Sequence, residues 1–381
     1  MSKGEILDRV AAVRDQARQR GWHGLVAVGR SFYDLPGNVV YLSGHFPPFP
    51  ASPARAGRRG LGHAVVVVPI EHDPVLLVDG EYREELVAIS DVRPCRDLVA
   101  GLAGLLRELG HDHSRLGLAG EQILPVAYYR DLLSLCPHLS FDSADPLLAQ
   151  MRSRKSPAEQ ALLRRAAEIA GTGLKAAVDT AKPGATESQV CAAGTAAAIE
   201  AGADFVRYLR VHSGPWSVRG SRWPPATDRV IQPGDTVYLD IIGACRGYQF
   251  DVLRTTVAGS PSPWQVEVFE AVHAALEEAV AAARPGVLAH EIFGRAREVL
   301  TAAGLGPHVT PFAGHGIGLE TVEAPYLVAE DSWPLEQSMV LCIEPKVSLP
   351  GEFGCSIEQE VIVRPDGPEV ITHFPTRLWA R

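Results

Sequence analysis

Residues 237–251, VYLDIIGACRGYQFD, decide how the rest of the chain is understood. Thr236–Ile242 and Tyr248–Val257 are runs rich in β-branched and aromatic residues, separated by Gly243-Ala-Cys-Arg-Gly247. The pattern predicts a β-hairpin with a five-residue loop. Folded back on itself, it brings Asp240 and Asp251 onto neighbouring strands, close enough to clasp the same ions.

A second pair of strands is expected at Met339–Glu344 and Ser356–Val363, with Ser348-Leu-Pro-Gly-Glu-Phe-Gly354 as the loop between them. Glu344, in CIEPK, ends the first strand, and Glu358, in SIEQE, lies near the start of the second. His315 stands between glycines in GHGIGLE. Asp240, Asp251, His315, Glu344 and Glu358 thus offer four carboxylates and one imidazole. Four negative ligands offset two divalent ions and leave a near-neutral site able to hold a bridging hydroxide. An oxygen-rich shell with a single imidazole suits Mn, Fe, Co or Zn and does not resemble a thiolate-selecting site.

Whole-chain properties bound the function from outside. At 381 residues the chain exceeds one ordinary core, and two domains are expected, 1–148 and 149–381. A net charge of −9 implies no strongly basic face, which argues against nucleic acid or an acidic membrane surface as partner. The six cysteines have no CxxC spacing and read as reduced thiols of a cytoplasmic protein. The first 22 residues form a charged amphipathic pattern without an apolar core, so no signal peptide is expected there. No uncharged apolar run reaches the 18 residues a membrane span needs.

The first block alternates helix and strand. A helix is expected over 5–20, stopped at Gly21, and buried strands at Leu25–Val28, Ala64–Pro69, Val75–Val78 and Leu116–Leu118. Helical patterns cover Leu98–Leu109 and Tyr128–Leu135. The stiff apolar loop Phe46–Pro53 is either a plain surface loop or a lid reaching another subunit's site. Ser156-Pro157-Ala-Glu159 is a capping box opening a long helix, and Thr186 with Gln189 opens another. Leu174, Ala177, Pro183, Gly184, Ala201 and Gly202 recur 102 residues later as Leu276, Ala279, Pro285, Gly286, Ala303 and Gly304. An internal duplication of a helix pair explains that match. Each pair precedes part of the ligand set, which would put the metals between pseudo-symmetric halves.

From about Met151 to Pro375 the chain resembles the creatinase, prolidase and methionine-aminopeptidase superfamily of metal-dependent peptidases. The motifs are RSRKSPAEQALLRRAA, the Ser213-Gly214 pair, DRVIQPGDTVYLDIIG, GHGIGLETVEAP and SMVLCIEPKV. Asn38-Val-Val-Tyr-Leu-Ser-Gly44 is similar to the N-terminal domain of the creatinase type. The resemblance implies an α/β fold: a creatinase-type N-terminal α/β domain, then a pseudo-two-fold pita-bread α+β catalytic domain. It carries the metal ligands over to Asp240, Asp251, His315, Glu344 and Glu358, with Glu344 also as general base. It further implies a homodimer acting on a dipeptide or another small molecule.

The departures from that family pattern concern substrate. Val322 stands where a second histidine is usual, and SGPWSVRGSRWPPATDR (213–229) lacks the usual Pro-His pair. Ser356 and Leu253 replace a usual arginine and threonine. Losing one donor to a developing oxyanion typically costs about 10²–10³ in rate. Trp216, Arg219, Arg222 and Trp223 in the altered loop, with Val322 and Glu323, are therefore the candidate substrate contacts. His212 and His308 read as structural, and Arg254 as either orienting a ligand carboxylate or pairing with an acid. The expected activity is hydrolysis of a C–N bond in a small amide or dipeptide. Its rivals are a lyase or biosynthetic enzyme on the same metals and a catalytically inactive binding protein.

Overall fold

The computed structural model describes residues 1–50, 57–219 and 223–377, and the chain divides into two compact units, Met1–Arg152 and Ser153–Arg381. No helix among the described residues is long and apolar enough to cross a membrane.

In the first unit, α1 (Lys3–Gln19) starts where the Ser2 hydroxyl accepts from the Glu5 N–H at 3.2 Å. The chain continues through β1 (Gly24–Arg30), α2 (Gly37–Ser43), β2 (His63–Pro69), β3 (Val75–Val78) and β4 (Asp91–Pro94). It then forms α3 (Leu98–Glu108), β5 (Arg115–Ala119), α4 (Val126–Leu135), β6 (Ser140–Ser143) and α5 (Asp145–Ser153). The strands make one six-stranded sheet in the order β4-β3-β2-β1-β5-β6. Val26, Val28, Val65, Val67 and Leu77 from the sheet pack against Leu102 and Leu106 of α3. The edge strands β4 and β6 escaped the sequence reading because they are four residues long and carry no alternation of buried and exposed positions. Of the loop expected as lid or surface, Phe49 is exposed, and positions 51–53 lie outside the described residues.

The second unit opens with α6 (Pro157–Thr180) and α7 (Glu187–Glu200), each begun by the expected capping box. Next come β7 (Phe205–Ser213), β8 (Thr236–Cys245) and β9 (Tyr248–Val257), which form a three-stranded antiparallel sheet in that order. The helix pair recurs as α8 (Pro263–Ala282) and α9 (Ala289–Ala302), and α9 begins and ends 102 residues after α7. There follow β10 (Gly314–Gly316), β11 (Glu323–Tyr326), β12 (Val340–Ile343), β13 (Lys346–Leu349), β14 (Phe353–Ser356), β15 (Gln359–Ile362) and β16 (Glu369–Val370). A five-stranded sheet runs β11-β10-β12-β15-β16, and β13 and β14 pair separately.

Two sequence expectations are corrected here. The β8–β9 loop is not five residues long: pairing continues to Cys245↔Tyr248, and only Arg246 and Gly247 turn the chain. Both hold positive φ, 52° and 82°, as a tight two-residue hairpin requires. The loop expected at Ser348–Gly354 is instead largely a hairpin of its own, β13 against β14, turning at Pro350–Glu352. Its apolar positions Val347, Leu349, Phe353 and Cys355 join the core built by α8 and α9, which rewards strand pairing over an open loop.

The α6–α7 contact depends on missing side chains. A Cβ at Gly194 would lie 2.4 Å from Leu209 Cδ2 and 3.0 Å from the Gly173 carbonyl oxygen. Gly194→Ala should therefore destabilise the second unit by about 1–3 kcal/mol. A thermal melt should show this as a drop of roughly 2–4 °C per kcal/mol; an unchanged melt would disprove the packing argument.

Glu369 on β16 ties the sheet edge to α6. Its carboxylate accepts from Arg164 Nε at 2.7 Å and from Arg364 Nη2 at 2.7 Å. The Arg164 bond, then that of Arg364, holds the carboxyl down at about 2. The pair is about a third exposed, so solvent screening limits its worth to roughly 1 kcal/mol or less. A depressed carboxylate stabilises above its unfolded pKa of about 4.3 and loses that contribution as pH falls toward about 2. Urea unfolding of Glu369→Gln against the parent should show the deficit at pH 7 and a shrinking one at pH 3.

Candidate metal centre

Register on β8 and β9 fixes the two aspartates. Asp240 lies opposite Leu253 and Asp251 opposite Ile242, so the carboxylates are diagonal neighbours on one face. Ligand atoms of Asp240, Asp251 and Glu358 all lie within 4.8 Å of one another. A second such group joins His315, Cys342 and Glu358. Glu358 belongs to both, which makes one continuous cluster.

His315 sits on β10 opposite Cys342 of β12. The flanking glycines have a steric cause, because β10 is squeezed between two backbones. A Cβ at Gly314 would fall 2.0 Å from the Cys342 carbonyl oxygen, and one at Gly316 2.5 Å from that of Ala324. The imidazole Nδ1 lies 2.9 Å from the Gly316 carbonyl oxygen. A carbonyl only accepts, so Nδ1 carries the proton and the lone pair is on Nε2. Nε2 faces Asp251 Oδ2 at 3.7 Å and Glu344 Oε1 at 3.6 Å. Both distances are too long for hydrogen bonds. Burial lowers the His315 pKa, favouring the neutral ring.

Hydrogen bonds seam the β8–β9 hairpin to β14 and to the segments beside β10 and β15 at this point. The Glu358 N–H donates to the Leu253 carbonyl at 3.1 Å, and Gln249 N–H to that of Gly318 at 2.8 Å. Thr255 Oγ1 donates to the Ser356 carbonyl at 2.7 Å and accepts from the Ser356 N–H at 3.1 Å. Arg254 is fully buried and corrects the expectation of an acidic partner: its guanidinium donates to the carbonyls of Leu253, Glu358, Phe374 and Pro375. It positions the strand carrying Glu358 through the backbone. Burial, the largest effect on it, holds its pKa down to about 10.

The cluster is electrostatically uncomfortable without a cation. Burial, then repulsion from Asp240, raises the pKa of Asp251 far above the carboxylate range and that of Glu344 to about 8. Burial and then Asp251 do the same to Glu358. Asp240 Oδ1 and Glu358 Oε1 are buried without a hydrogen-bond partner among the described residues. Orphaned carboxylate oxygens beside an imidazole lone pair are a donor set that a hard or borderline divalent ion satisfies. The residues fit such an ion.

The substrate candidates fare differently. Trp216, Trp223 and Val322 are exposed, with Trp223 at 88%. The Arg219 side chain and Arg222 lie outside the described residues. Glu323 is buried and used within the protein, with Oε2 3.3 Å from Lys155 Nζ and Oε1 accepting from the Glu320 N–H at 3.0 Å. His212 is buried, its Nε2 3.2 Å from the Pro224 carbonyl oxygen, and so ties the altered loop to β7. His308 ends a short 3₁₀ turn.

Several residues at the cluster were missed by sequence reasoning. Arg210 on β7 lies opposite Asp240 and donates to its Oδ2 at 2.6 Å. Glu360 is fully buried, accepts from the Asp251 N–H at 3.0 Å, and has its pKa raised by burial to about 8. Lys346 Nζ lies 4.6 Å from the centroid of the Tyr238 ring. Strand alternation held the signal: Lys346 follows Glu344 by two positions, and Glu360 follows Glu358 by two.

Comparison with known proteins identifies the family. Residues 161–365 match the sequence model of metallopeptidase family M24, and residues 9–154 that of the creatinase/prolidase N-terminal domain. The chain is similar to the Xaa-Pro dipeptidase of Pyrococcus horikoshii, 28% identical over 347 residues, covering 90% of this chain and 92% of that one. It is 34% identical over 257 residues to a probable dipeptidase, PepE, of Mycobacterium tuberculosis, covering 67% of this chain and 66% of that one. Among solved structures, the prolidase from Pyrococcus horikoshii superimposes with a TM-score of 0.85 at 25% identity, covering 98% and 100% of the two chains. The dipeptidase PepE from Mycobacterium ulcerans gives 0.83 at 29% identity, covering 99% and 98%.

Metal-stripped protein should gain stability when Mn²⁺ or Co²⁺ is added. At a hundred times Kd the gain is about 2.7 kcal/mol. The same titration on Asp251→Asn should show a much smaller rise in melting temperature, and an equal rise would place the ion elsewhere.

Proposed function

This chain belongs to metallopeptidase family M24, and on that premise we propose that it hydrolyses the C–N bond of a dipeptide or dipeptide-like small amide. Asp240, Asp251, His315, Glu344 and Glu358 would hold its divalent ions, with Mn, Fe, Co and Zn as the candidates. The observation that supports this reading is their convergence, with a carboxylate oxygen of Asp240 and one of Glu358 buried and without a hydrogen-bond partner among the described residues. Bound divalent ions supply Lewis acidity and make a water nucleophilic at neutral pH.

The chain's own groups do the rest. Glu344, at the end of β12 and 3.6 Å from His315 Nε2, takes the proton of the attacking water and passes it to the leaving nitrogen. Burial keeps His315 neutral, and its Nδ1–H on the Gly316 carbonyl leaves Nε2 as the lone-pair nitrogen. Arg254 and the seam of main-chain bonds keep Glu358 against the β8–β9 hairpin. Val322 offers no hydrogen-bond donor and is half exposed. That supports a substrate other than a standard Xaa-Pro dipeptide, with Trp216 and Trp223 as candidate contacts for an apolar portion.

The test is a panel of Xaa-Pro dipeptides and small N-acyl compounds, assayed with Mn²⁺ or Co²⁺ in ¹⁸O-labelled water. Hydrolysis places one labelled oxygen in the acyl product, whereas an unsaturated, unlabelled product would favour a lyase. Glu344→Gln should lower turnover by about 10²–10⁴ with the fold intact. Undiminished turnover in that variant would remove Glu344 from the mechanism.

A further inference from the structure

One end of the six-stranded sheet in the first unit gathers histidines that the reaction above does not use. His23 immediately precedes β1, His72 lies in the bend between β2 and β3, and His111 lies between α3 and β5. Strands β2, β1 and β5 are neighbours in that order. Gly24 stands opposite Pro69 and Leu25 beside Gly117, so the three histidines fall at the same end of the ladder. Backbone bonds fix them there. The His23 N–H donates to the Arg115 carbonyl at 2.9 Å, and the His23 carbonyl accepts from the Ile70 N–H at 3.1 Å. Arg14 of α1 donates to the carbonyls of Pro69 and His72 at 2.9 and 2.8 Å, which holds the bend carrying His72. The His111 N–H donates to the Leu106 carbonyl at 2.7 Å.

His111 is the hub of the group. Its ring centroid lies 5.9 Å from that of His23 and 6.4 Å from that of His72, at interplanar angles of 55° and 57°. The residue is 8% exposed, with Ser114 Oγ 3.4 Å from Nδ1. Nε2 is buried and has no hydrogen-bond partner among the described residues. Burial, then the neighbouring His23 and His72, lowers the His111 pKa, which keeps a lone pair on the ring at pH 7. Imidazoles bound to one ion at about 2.0–2.1 Å stand about 5–6 Å apart, centre to centre. The nitrogens are not gathered as tightly as the donors of the carboxylate cluster. His23 and His72 are exposed, however, and small turns of their rings close the difference. A buried, orphaned nitrogen gains from any partner that satisfies it, and a donor set of imidazoles suits Zn, Ni or Cu over Mg, Ca or Mn.

We infer that His23, His72 and His111 form a separate metal site in the first unit, taking one nitrogen-preferring divalent ion such as Zn²⁺ with water in the fourth position. Its ligands are neutral, and acids adjacent in sequence bring negative charge: Glu71 and Asp73 flank His72, and Asp112 follows His111. The ion's role is structural. It would clamp the start of β1, the β2–β3 bend and the α3–β5 connection, three segments distant in sequence and held together by backbone bonds. The site lies wholly within Met1–Arg152 and does not rest on the activity proposed above.

Equilibrium dialysis of the full chain against graded Zn²⁺, with bound ions counted by mass spectrometry, tests this without reference to turnover. At the same free Zn²⁺ the wild-type chain should hold one ion more than a double variant, His23→Gln with His72→Gln. Asp251→Asn, which alters only the carboxylate cluster, should keep that ion. His72→Gln alone should weaken it by at least about tenfold, since losing even an outer partner of a ligand costs that much. Equal uptake by the wild type and the double variant would overturn the inference. So would an extra ion that disappears in Asp251→Asn, because it would then belong to the carboxylate cluster. Both replaced rings are exposed, so metal-free melts of the wild type and the double variant should coincide. Added Zn²⁺ should then raise the wild type further than the double variant, and an equal rise would count against the site. Should the double variant fold poorly, His72→Gln gives the same reading from a single exposed bend.

Discussion

Like charges held out of water set the terms for this structure. Asp240, Asp251 and Glu360 come from β8, β9 and β15, Glu344 directly follows β12 and Glu358 directly precedes β15, and burial raises the pKa of most of them. Such a cluster is unfavourable unless something positive compensates it and something rigid prevents it from spreading. The rigidity is mainly backbone. Glu358 N–H on Leu253 and Gln249 on Gly318 tie the hairpin to the segments before β15 and after β10, and the Thr255–Ser356 exchange ties it to β14. Arg254 adds a buried clamp on four carbonyls, which keeps its charge near the acids without neutralising any one of them directly.

The parts of this arrangement that are local in sequence were legible before the structure. Strand periodicity found β8 and β9, capping residues found the starts of α6 and α7, and flanking glycines singled out His315. What was misjudged depends on contacts between distant segments. Five residues between two apolar runs resemble a loop, yet Arg246 and Gly247 alone turn the chain because both adopt positive φ. Ser348–Gly354 also looked like a loop, since its hairpin is stabilised by helices α8 and α9, tens of residues earlier in the chain. Arg254 was expected to seek an acid, but the nearest polar atoms in its pocket are carbonyls.

The cations around the cluster were illegible for a different reason. Arg210 lies thirty residues before Asp240, and only the β7–β8 register brings them face to face. Lys346 and Glu360 were within reach of a period-two reading from the adjacent glutamates, and attending to the acids alone passed over them. Charge bookkeeping from a motif counts the residues that the motif contains. A folded site also counts those that neighbouring strands contribute, and here they change the sum.

Duplication of the helix pair explains why two sheets meet at such a place. Helices α7 and α9 keep an offset of 102 residues at both ends, and the break before each contains a glycine with φ near 90°. The same offset carries Asp240 to Cys342. Each lies in one of the two ligand groups that share Glu358. The helices retained small residues because their close approach tolerates nothing larger, as at Gly194 of α7 against Gly173 of α6. The strands were free to diverge on the face where the halves meet: one half presents an aspartate paired with an arginine, the other a buried thiol beside an imidazole. A symmetric scaffold therefore encloses an asymmetric set of donors, and the hard-oxygen half and the nitrogen-bearing half of the cluster offer any bound ion unequal surroundings.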